Sequence, residues 1–127
     1  MLGVCLGMQA MAEVFGGKLK LLKQPLHGVS KTVFHSESKI FDGVPSEFEA
    51  ARYHSWVVDN SCLPNLLQMI ALAEDEEIMA IKHVFQPIYG FQFHPESVLT
   101  ETGVKMIHNF KTIANNYYNE KAIRQAI

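Results

Sequence analysis

A cysteine between two glycines, close to the start of the chain, most constrains what this sequence can fold into. The opening stretch MLGVCLGMQAM has a short apolar segment, then Gly3, Cys5 and Gly7, and then a run of helix formers. This spacing is typical of a nucleophile elbow, in which small flanking residues let a strand turn sharply into a helix. The pattern predicts a helix from Leu6 to Phe15, ended by the glycine pair that follows.

An elbow would also determine the chemistry of the cysteine. Cys5 would lie at a helix N-terminus, which favours the thiolate and lowers the pKa of the thiol. The backbone N–H of Leu6 would point to where an oxyanion develops during attack on a carbonyl. A free cysteine between glycines is also a common structural residue, so the elbow alone leaves both interpretations open.

A second motif, F-Q-F-H-P-E-S, lies far downstream at the end of an apolar run. His94 and Glu96 are two residues apart, which puts them on the same side of a strand end, and Pro95 stops the regular ladder. An imidazole beside a carboxylate suits a cysteine nucleophile, because the base moves the proton and the acid fixes its tautomer. Taken alone, the motif also fits a surface histidine beside an unrelated glutamate.

Between the two motifs, apolar runs of strand length alternate with turn signals. These runs are 18–23, Val29–His35, Leu67–Ala73, Ile78–Val84 and Ile88–Phe93. The acidic run 74–77 is predicted to be a solvated hairpin turn. From Thr102 onward, apolar residues recur at three- and four-residue steps, which predicts an amphipathic helix. Its predicted apolar stripe consists of Val104, Ile107, Phe110, Ile113 and Ala114, and residues 116–127 are predicted to form a polar C-terminal helix or tail.

Length and composition exclude several classes of function. The 127 residues suit one domain. The formal net charge of -2 gives no basic surface for nucleic acid, and no run is apolar enough to span a membrane. The two cysteines, Cys5 and Cys62, are too few for a disulfide scaffold, so a reducing cytoplasm is the expected location. The histidines outside the second motif lack the spacing of a zinc site, so no metal is expected.

Together, the G-V-C-L-G and F-H-P-E motifs resemble the catalytic triad of the class I glutamine amidotransferases. The resemblance implies an α/β fold with an open, mostly parallel, flavodoxin-like sheet and flanking helices. It also implies hydrolysis of the glutamine side-chain amide, with ammonia released for a partner enzyme and no cofactor required. By this resemblance, Cys5 is the nucleophile, His94 the general acid and base, Glu96 its orienting carboxylate, and Leu6 an oxyanion donor.

The resemblance extends to residues that hold the substrate. Gln9, in G-M-Q, corresponds to the glutamine-holding residue of the family. Ser55 and Trp56, in R-Y-H-S-W, correspond to the pair that contacts the amino-acid end of glutamine. Among the remaining histidines, His54 is expected to line the pocket because it adjoins Ser55.

Three segments, R-Y-H-S, I-M-A-I-K-H and S-V-L-T-E-T-G, resemble the small subunits of anthranilate synthase and aminodeoxychorismate synthase. This branch implies that the partner is a chorismate-binding synthase subunit, with Thr100 and Glu101 as contact candidates. One departure is Met8, where most members of the branch have histidine. We interpret this methionine as a packing variant.

Family members begin with a further segment of strands and a Pro-Gly-rich loop before the elbow. The resemblance therefore predicts that residues 1–127 form a single partial domain that lacks the N-terminal strands. Because that loop supplies the second oxyanion amide, the chain alone is expected to be a weak or inactive glutaminase. The alternatives are an inactive fragment that retains only partner binding, and an amidotransferase or γ-glutamyl hydrolase of another pathway.

Overall fold

Eight β-strands and two α-helices make up the fold, and the computed structural model describes residues 1–127. Two short 3-10 helices, Lys39–Phe41 and Asn60–Cys62, lie in the connections. The other elements, in chain order, are β1 (Leu2–Val4), α1 (Leu6–Val14), β2 (Leu19–Leu21), β3 (Val29–His35), β4 (Glu47–Arg52), β5 (Trp56–Val58), β6 (Leu67–Ala73), β7 (Ile78–His83), β8 (Tyr89–Phe91) and α2 (Gly103–Ala126).

The main sheet has six strands in the order β1-β8-β7-β6-β3-β4, and β2 pairs with β5 in a separate two-stranded sheet. The predicted α/β class is confirmed, but the sheet is mixed rather than mostly parallel. Only β1 and β8 are parallel, and the four other neighbouring pairs are antiparallel. Short connections such as the turn 74–77 explain this, because a parallel neighbour requires a long crossover.

The parallel pair at one edge of the sheet brings the two sequence motifs together. Val4, the last residue of β1, is in register with Phe91, the last residue of β8. Cys5 and the F-H-P-E segment therefore leave the sheet side by side, at the carboxyl ends of these strands. Ligands bind at this end of open α/β sheets.

The two helices contribute to separate cores. Helix α1 inserts Met8, Met11 and Ala12 among apolar residues of β5, β6 and β7. Helix α2 contributes Met106 to the larger core, which includes Phe91 and Phe93. The complete burial of Met8 supports its interpretation as a packing residue. None of the helices is long and apolar enough to cross a membrane.

Helix α1 closely matches its prediction. It spans Leu6–Val14 with Phe15 as its C-cap, and Gly16 has φ 97°, in the left-handed region that favours glycine after a helix. The backbone N–H of Gly17 donates to the carbonyl of Ala12 at 2.8 Å, which satisfies one of the last helical carbonyls.

Helix α2 is rotated relative to its prediction. Phe110 and Ile113 pack against the larger core as expected, but the first turn inserts Met106 instead. Val104, predicted to be in the apolar stripe, is 64% exposed, and Ile107 is also exposed. The helix follows the spacing of Met106, Phe110 and Ile113, because its first residue, Gly103, is fixed against the loop that carries His94.

Candidate active site

Cys5 joins β1 to α1 in a strained backbone conformation. Its φ of 53° and ψ of -105° are unfavourable for a residue with a side chain, and such conformations cost about 1–3 kcal/mol. Two backbone hydrogen bonds maintain the conformation. The N–H of Cys5 donates to the carbonyl of Phe91 at 2.7 Å, and the carbonyl of Cys5 accepts from the N–H of Gln9 at 3.2 Å. Strand β8 and helix α1 therefore both hold the elbow in place.

The two glycines that flank Cys5 are not equivalent. A Cβ atom on Gly3 would lie 2.7 Å from the backbone carbon of Gly7, so the elbow closes only when residue 3 lacks a side chain. A Cβ atom on Gly7 would have no neighbour within 4 Å. The predicted need for a small residue therefore applies to the strand side of the elbow and not to the helix side.

The surroundings of the sulfur raise the pKa of Cys5, which makes the predicted lowering wrong. Burial is the main cause, and the negative charge of Glu96 adds to it. The backbone N–H of Leu6 and the side-chain amide of Gln92 act in the opposite direction but do not outweigh burial. The helix N-terminus cannot compensate for the loss of hydration, so the thiol form is favoured over the thiolate.

His94 and Glu96 form a tight pair. The Nδ1 atom of His94 lies 2.6 Å from Oε1 of Glu96. Burial opposes ionisation of Glu96, but hydrogen bonds from His94 and from its own backbone, together with the charge of His94, lower its pKa. The carboxylate accepts a hydrogen bond from Nδ1–H, which leaves Nε2 of the ring without a proton and free to act as the base.

Thr100 holds the backbone of His94 and is unsuitable as a partner contact. Its hydroxyl donates to the carbonyl of His94 at 2.7 Å and accepts from the N–H of Ala51 at 3.0 Å. The side chain is 3% exposed, so a partner could not reach it without unfolding the loop. The N–H of His94 also donates to the carbonyl of Ala51. The expectation that Thr100 contacts a partner is therefore wrong, while Glu101 is exposed.

Tyr53 links the cysteine to the histidine. Its carbonyl lies 3.9 Å from Sγ of Cys5, and its ring packs edge-on against the imidazole of His94 with the centroids 5.3 Å apart. Cys5 and His94 share no hydrogen bond in this structure. Contacts of this kind often tighten only when a substrate is bound.

Two of the three predicted substrate residues, Gln9 and Trp56, lie on the α1 side of the elbow. Leu6, Gln9 and Trp56 line one cleft, while His94 and Glu96 line another with Tyr53 and Ser97. The amide nitrogen of Gln9 donates to the carbonyl of Trp56 at 2.8 Å, which joins α1 to β5. Ser55 precedes β5 and is half-buried.

His54 is buried behind the elbow rather than exposed in a pocket. Its Nδ1 lies 3.0 Å from the carbonyl of Trp56, and its Nε2 accepts from Nε of the buried Arg52 at 3.1 Å. Burial first, and then the charge of Arg52, lower the pKa of His54 to about 4. Arg52 is itself paired with Asp75 of the acidic turn at 3.2 Å. The turn 74–77 is therefore partly a structural anchor and not only a solvated hairpin.

The neutral state of His54 predicts a pH dependence of stability. Between pH 6.5 and about 4, unfolding releases a ring that takes up a proton, so the unfolding free energy is expected to fall as pH decreases. Urea unfolding at several pH values would measure the slope for the parent chain and for His54→Gln. The variant should lose at most about 1.4 kcal/mol per pH unit of this dependence. Equal slopes would contradict the prediction.

Sequence reasoning missed the roles of four residues of the site: Tyr53, Gln92, Thr100 and Arg52. Of these residues, Gln92 was the easiest to anticipate from the sequence, because it is a single polar residue within the apolar run Y-G-F-Q-F. A buried amide at such a position must find hydrogen-bond partners, which is a reason to look for a network. The partners themselves are distant in sequence and could not be identified.

A strained cysteine between a strand and a helix, with a histidine–carboxylate pair on the adjacent strand end, is typical of thiol enzymes built on an α/β sheet. The sequence model of the family described as glutamine amidotransferase class-I matches residues 1–113. The chain therefore belongs to the class I glutamine amidotransferase family.

Within this family, the chain is similar to synthase subunits. It is 47% identical over 116 residues to anthranilate synthase component 2 of Lactococcus lactis, covering 90% of this chain and 59% of that one. It is 43% identical over 108 residues to the aminodeoxychorismate/anthranilate synthase component 2 of Bacillus subtilis, covering 85% and 56%. The bifunctional protein TrpGD of Thermotoga maritima is 46% identical over 112 residues, covering 88% of this chain and 19% of that protein.

Solved structures agree with the fold. A structure from Thermoplasma acidophilum, assigned to a GMP synthase, superposes with a TM-score of 0.87 at 31% identity, covering 95% of this chain and 60% of that one. A glutamine amidotransferase from Thermotoga maritima superposes with a TM-score of 0.66 at 23% identity, covering 96% and 49%, which supports the fold alone. The chain thus spans little more than half the length of the component 2 proteins it matches.

Proposed function

We propose that this chain carries the catalytic part of a glutaminase, in which Cys5, His94 and Glu96 act as a triad. The observation that carries the proposal is the strained elbow, which holds Cys5 beside the loop of the His94–Glu96 pair. Glutamine is the proposed substrate, and neither a metal nor a cofactor takes part.

The proposed reaction has two stages. The sulfur of Cys5 attacks the side-chain carbonyl carbon of glutamine while Nε2 of His94 takes up the thiol proton. The oxyanion that forms faces the backbone N–H of Leu6. His94 then returns the proton to the leaving nitrogen, the C–N bond breaks, and ammonia and a glutamyl thioester result. His94 next removes a proton from water, which hydrolyses the thioester to glutamate and restores the thiol.

The raised pKa of Cys5 fits this order of events. A neutral resting thiol needs a base that acts during the attack, and the short contact between His94 and Glu96 provides one with a fixed tautomer. Gln9 is proposed to hold glutamine, and Ser55 and Trp56 are proposed to contact its amino-acid end. These roles are supported by the cleft that Gln9 and Trp56 share with Leu6.

We assign the released ammonia to a chorismate-binding synthase subunit in the cytoplasm, for anthranilate or aminodeoxychorismate synthesis. The identities of 43–47% to component 2 proteins of such synthases support this branch. The 31% identity to the GMP synthase structure is lower, although its fold is very similar. An inactive fragment that only binds the partner, and an amidotransferase or γ-glutamyl hydrolase of another pathway, are the competing functions.

Covalent labelling tests the proposal directly. The purified chain is treated with a diazoketone analogue of glutamine, with and without free glutamine, and the modified peptides are identified by mass spectrometry. We expect labelling at Cys5 that glutamine suppresses, with Cys62 unmodified, because only Cys5 lies in a substrate site. No labelling, or labelling of both cysteines without protection, would contradict a glutamine pocket in this chain.

A further inference from the structure

A buried side-chain amide contacts the sulfur of the elbow. Gln92, which directly follows β8, is 0% exposed, and its Nε2 donates toward Sγ of Cys5 at 3.6 Å. Its Oε1 accepts from Nε2 of Gln9 at 3.0 Å. Both ends of the amide are therefore used, which is the usual state of a buried polar group.

The orientation of this amide follows from its neighbours. The carbonyl of Trp56 can only accept, so the group of Gln9 that lies 2.8 Å from it must be the NH₂. The same NH₂ faces Gln92, which requires the oxygen of Gln92 to point toward Gln9. The nitrogen of Gln92 is then directed at Cys5. A backbone carbonyl thus fixes which end of the Gln92 amide reaches the sulfur.

The contact between Arg52 and His54 is consistent with the same direction of hydrogen bonding at the carbonyl of Trp56. Arg52 can only donate, so Nε2 of His54, which accepts from it, carries no proton. The proton of the neutral ring is then on Nδ1, which donates to the carbonyl of Trp56. The carbonyl of Trp56 therefore accepts from both His54 and Gln9. Along the series of hydrogen bonds from Arg52 to Cys5, each contact then has one donor and one acceptor.

We infer that Gln92 is a positioning residue that directs an N–H donor at Sγ of Cys5, with its orientation fixed by Gln9. A donor of this kind stabilises the thiolate that forms as His94 takes the proton, and it aligns the sulfur for attack. The same contact assigns Gln9 a structural role at the elbow in addition to its proposed role toward glutamine. The inference rests on the proposed function only in taking Cys5 as the nucleophile.

The test is the pH dependence of Cys5 alkylation by iodoacetamide, measured on the Cys5 peptide in the full chain. In Gln92→Met the donor is lost while the volume is nearly kept. We expect the midpoint of the profile to rise by about one pH unit, which corresponds to about tenfold slower alkylation at pH 7. The limiting rate at high pH should be unchanged, since access to the sulfur is the same. The ionisable groups near the elbow are the same in both chains, namely Tyr53, His94, Glu96, His54 with its neighbour Arg52 and, on α1, Glu13.

Two further variants keep the test decisive. Gln92→Asn keeps a neutral amide but shortens the side chain by one methylene, which withdraws the donor from the sulfur, so its midpoint should rise as well, even if Gln92→Met does not fold. Gln68→Met removes an exposed amide on β6 and should leave the midpoint unchanged. An unshifted midpoint in a folded Gln92 variant would overturn the inference. Loss of glutamine protection in the labelling experiment would instead refute the proposed substrate, while the shift remained measurable.

Discussion

Replacing Cys5 by alanine is expected to reduce the rate of glutamine hydrolysis to that measured in buffer without the protein. The thioester cannot form without the sulfur of Cys5. In a well-characterised serine protease triad, loss of the nucleophile costs about 10⁶-fold in kcat. Because the chain alone is expected to be a weak or inactive glutaminase, release of ammonia from glutamine is measured on a form extended by a family-type N-terminal segment, for the parent and the variant at equal concentration.

Cys62→Ala is the matched control for this experiment. Cys62 lies in the short 3-10 helix Asn60–Cys62, is half-buried, and has Ser61 as its side-chain neighbour. The control should therefore keep the parental rate. With the proposed synthase partner present, Cys5→Ala should leave synthesis from added ammonia intact, because that step is assigned to the partner. A Cys5→Ala chain with the parental rate of glutamine hydrolysis would exclude the proposed nucleophile.

Local signals were sufficient to predict several elements from sequence. The bounds of β3 and β6 were predicted to the residue, and α1 to within one residue. These elements depend on local features: apolar runs, β-branched residues and the glycine pair after α1. Such features act over only a few neighbouring residues, so they can be recognised in a single sequence. The hairpin turn predicted at 74–77 accounts for the antiparallel pair of β6 and β7, but the other three antiparallel pairs could not be predicted in this way.

The missed features of the site depend on contacts distant in sequence. Thr100 was assigned to a surface, yet its hydroxyl joins Ala51 to His94 across two separate elements. The pKa of Cys5 was expected to fall because the helix terminus is visible in the sequence, whereas the burial that raises it is not. The sequence thus indicated the candidate reactive side chains, whereas their pKa values depend on burial and contacts that only the fold determines.

Replacing Gly103 by alanine is expected to disrupt the loop of the histidine. A Cβ atom there would overlap the carbonyl oxygen of Pro95 and lie 2.6 Å from its carbon, so the backbone must move. Pro95 lies between His94 and Glu96, which means that any movement separates the pair from the elbow. We expect a loss of at least about 3 kcal/mol in the free energy of unfolding, at the upper end for overpacked sites.

Gly7→Ala, on helix α1, is expected to have the opposite effect on stability. A methyl group there meets nothing within 4 Å, and alanine favours a helix by about 0.5–1 kcal/mol over glycine. Urea unfolding should therefore show Gly7→Ala to be slightly more stable than the parent and Gly103→Ala much less stable. Equal stability of Gly103→Ala and the parent would mean that α2 is not fixed against Pro95. In that case neither the rotation of the helix nor the position of His94 could be attributed to this contact.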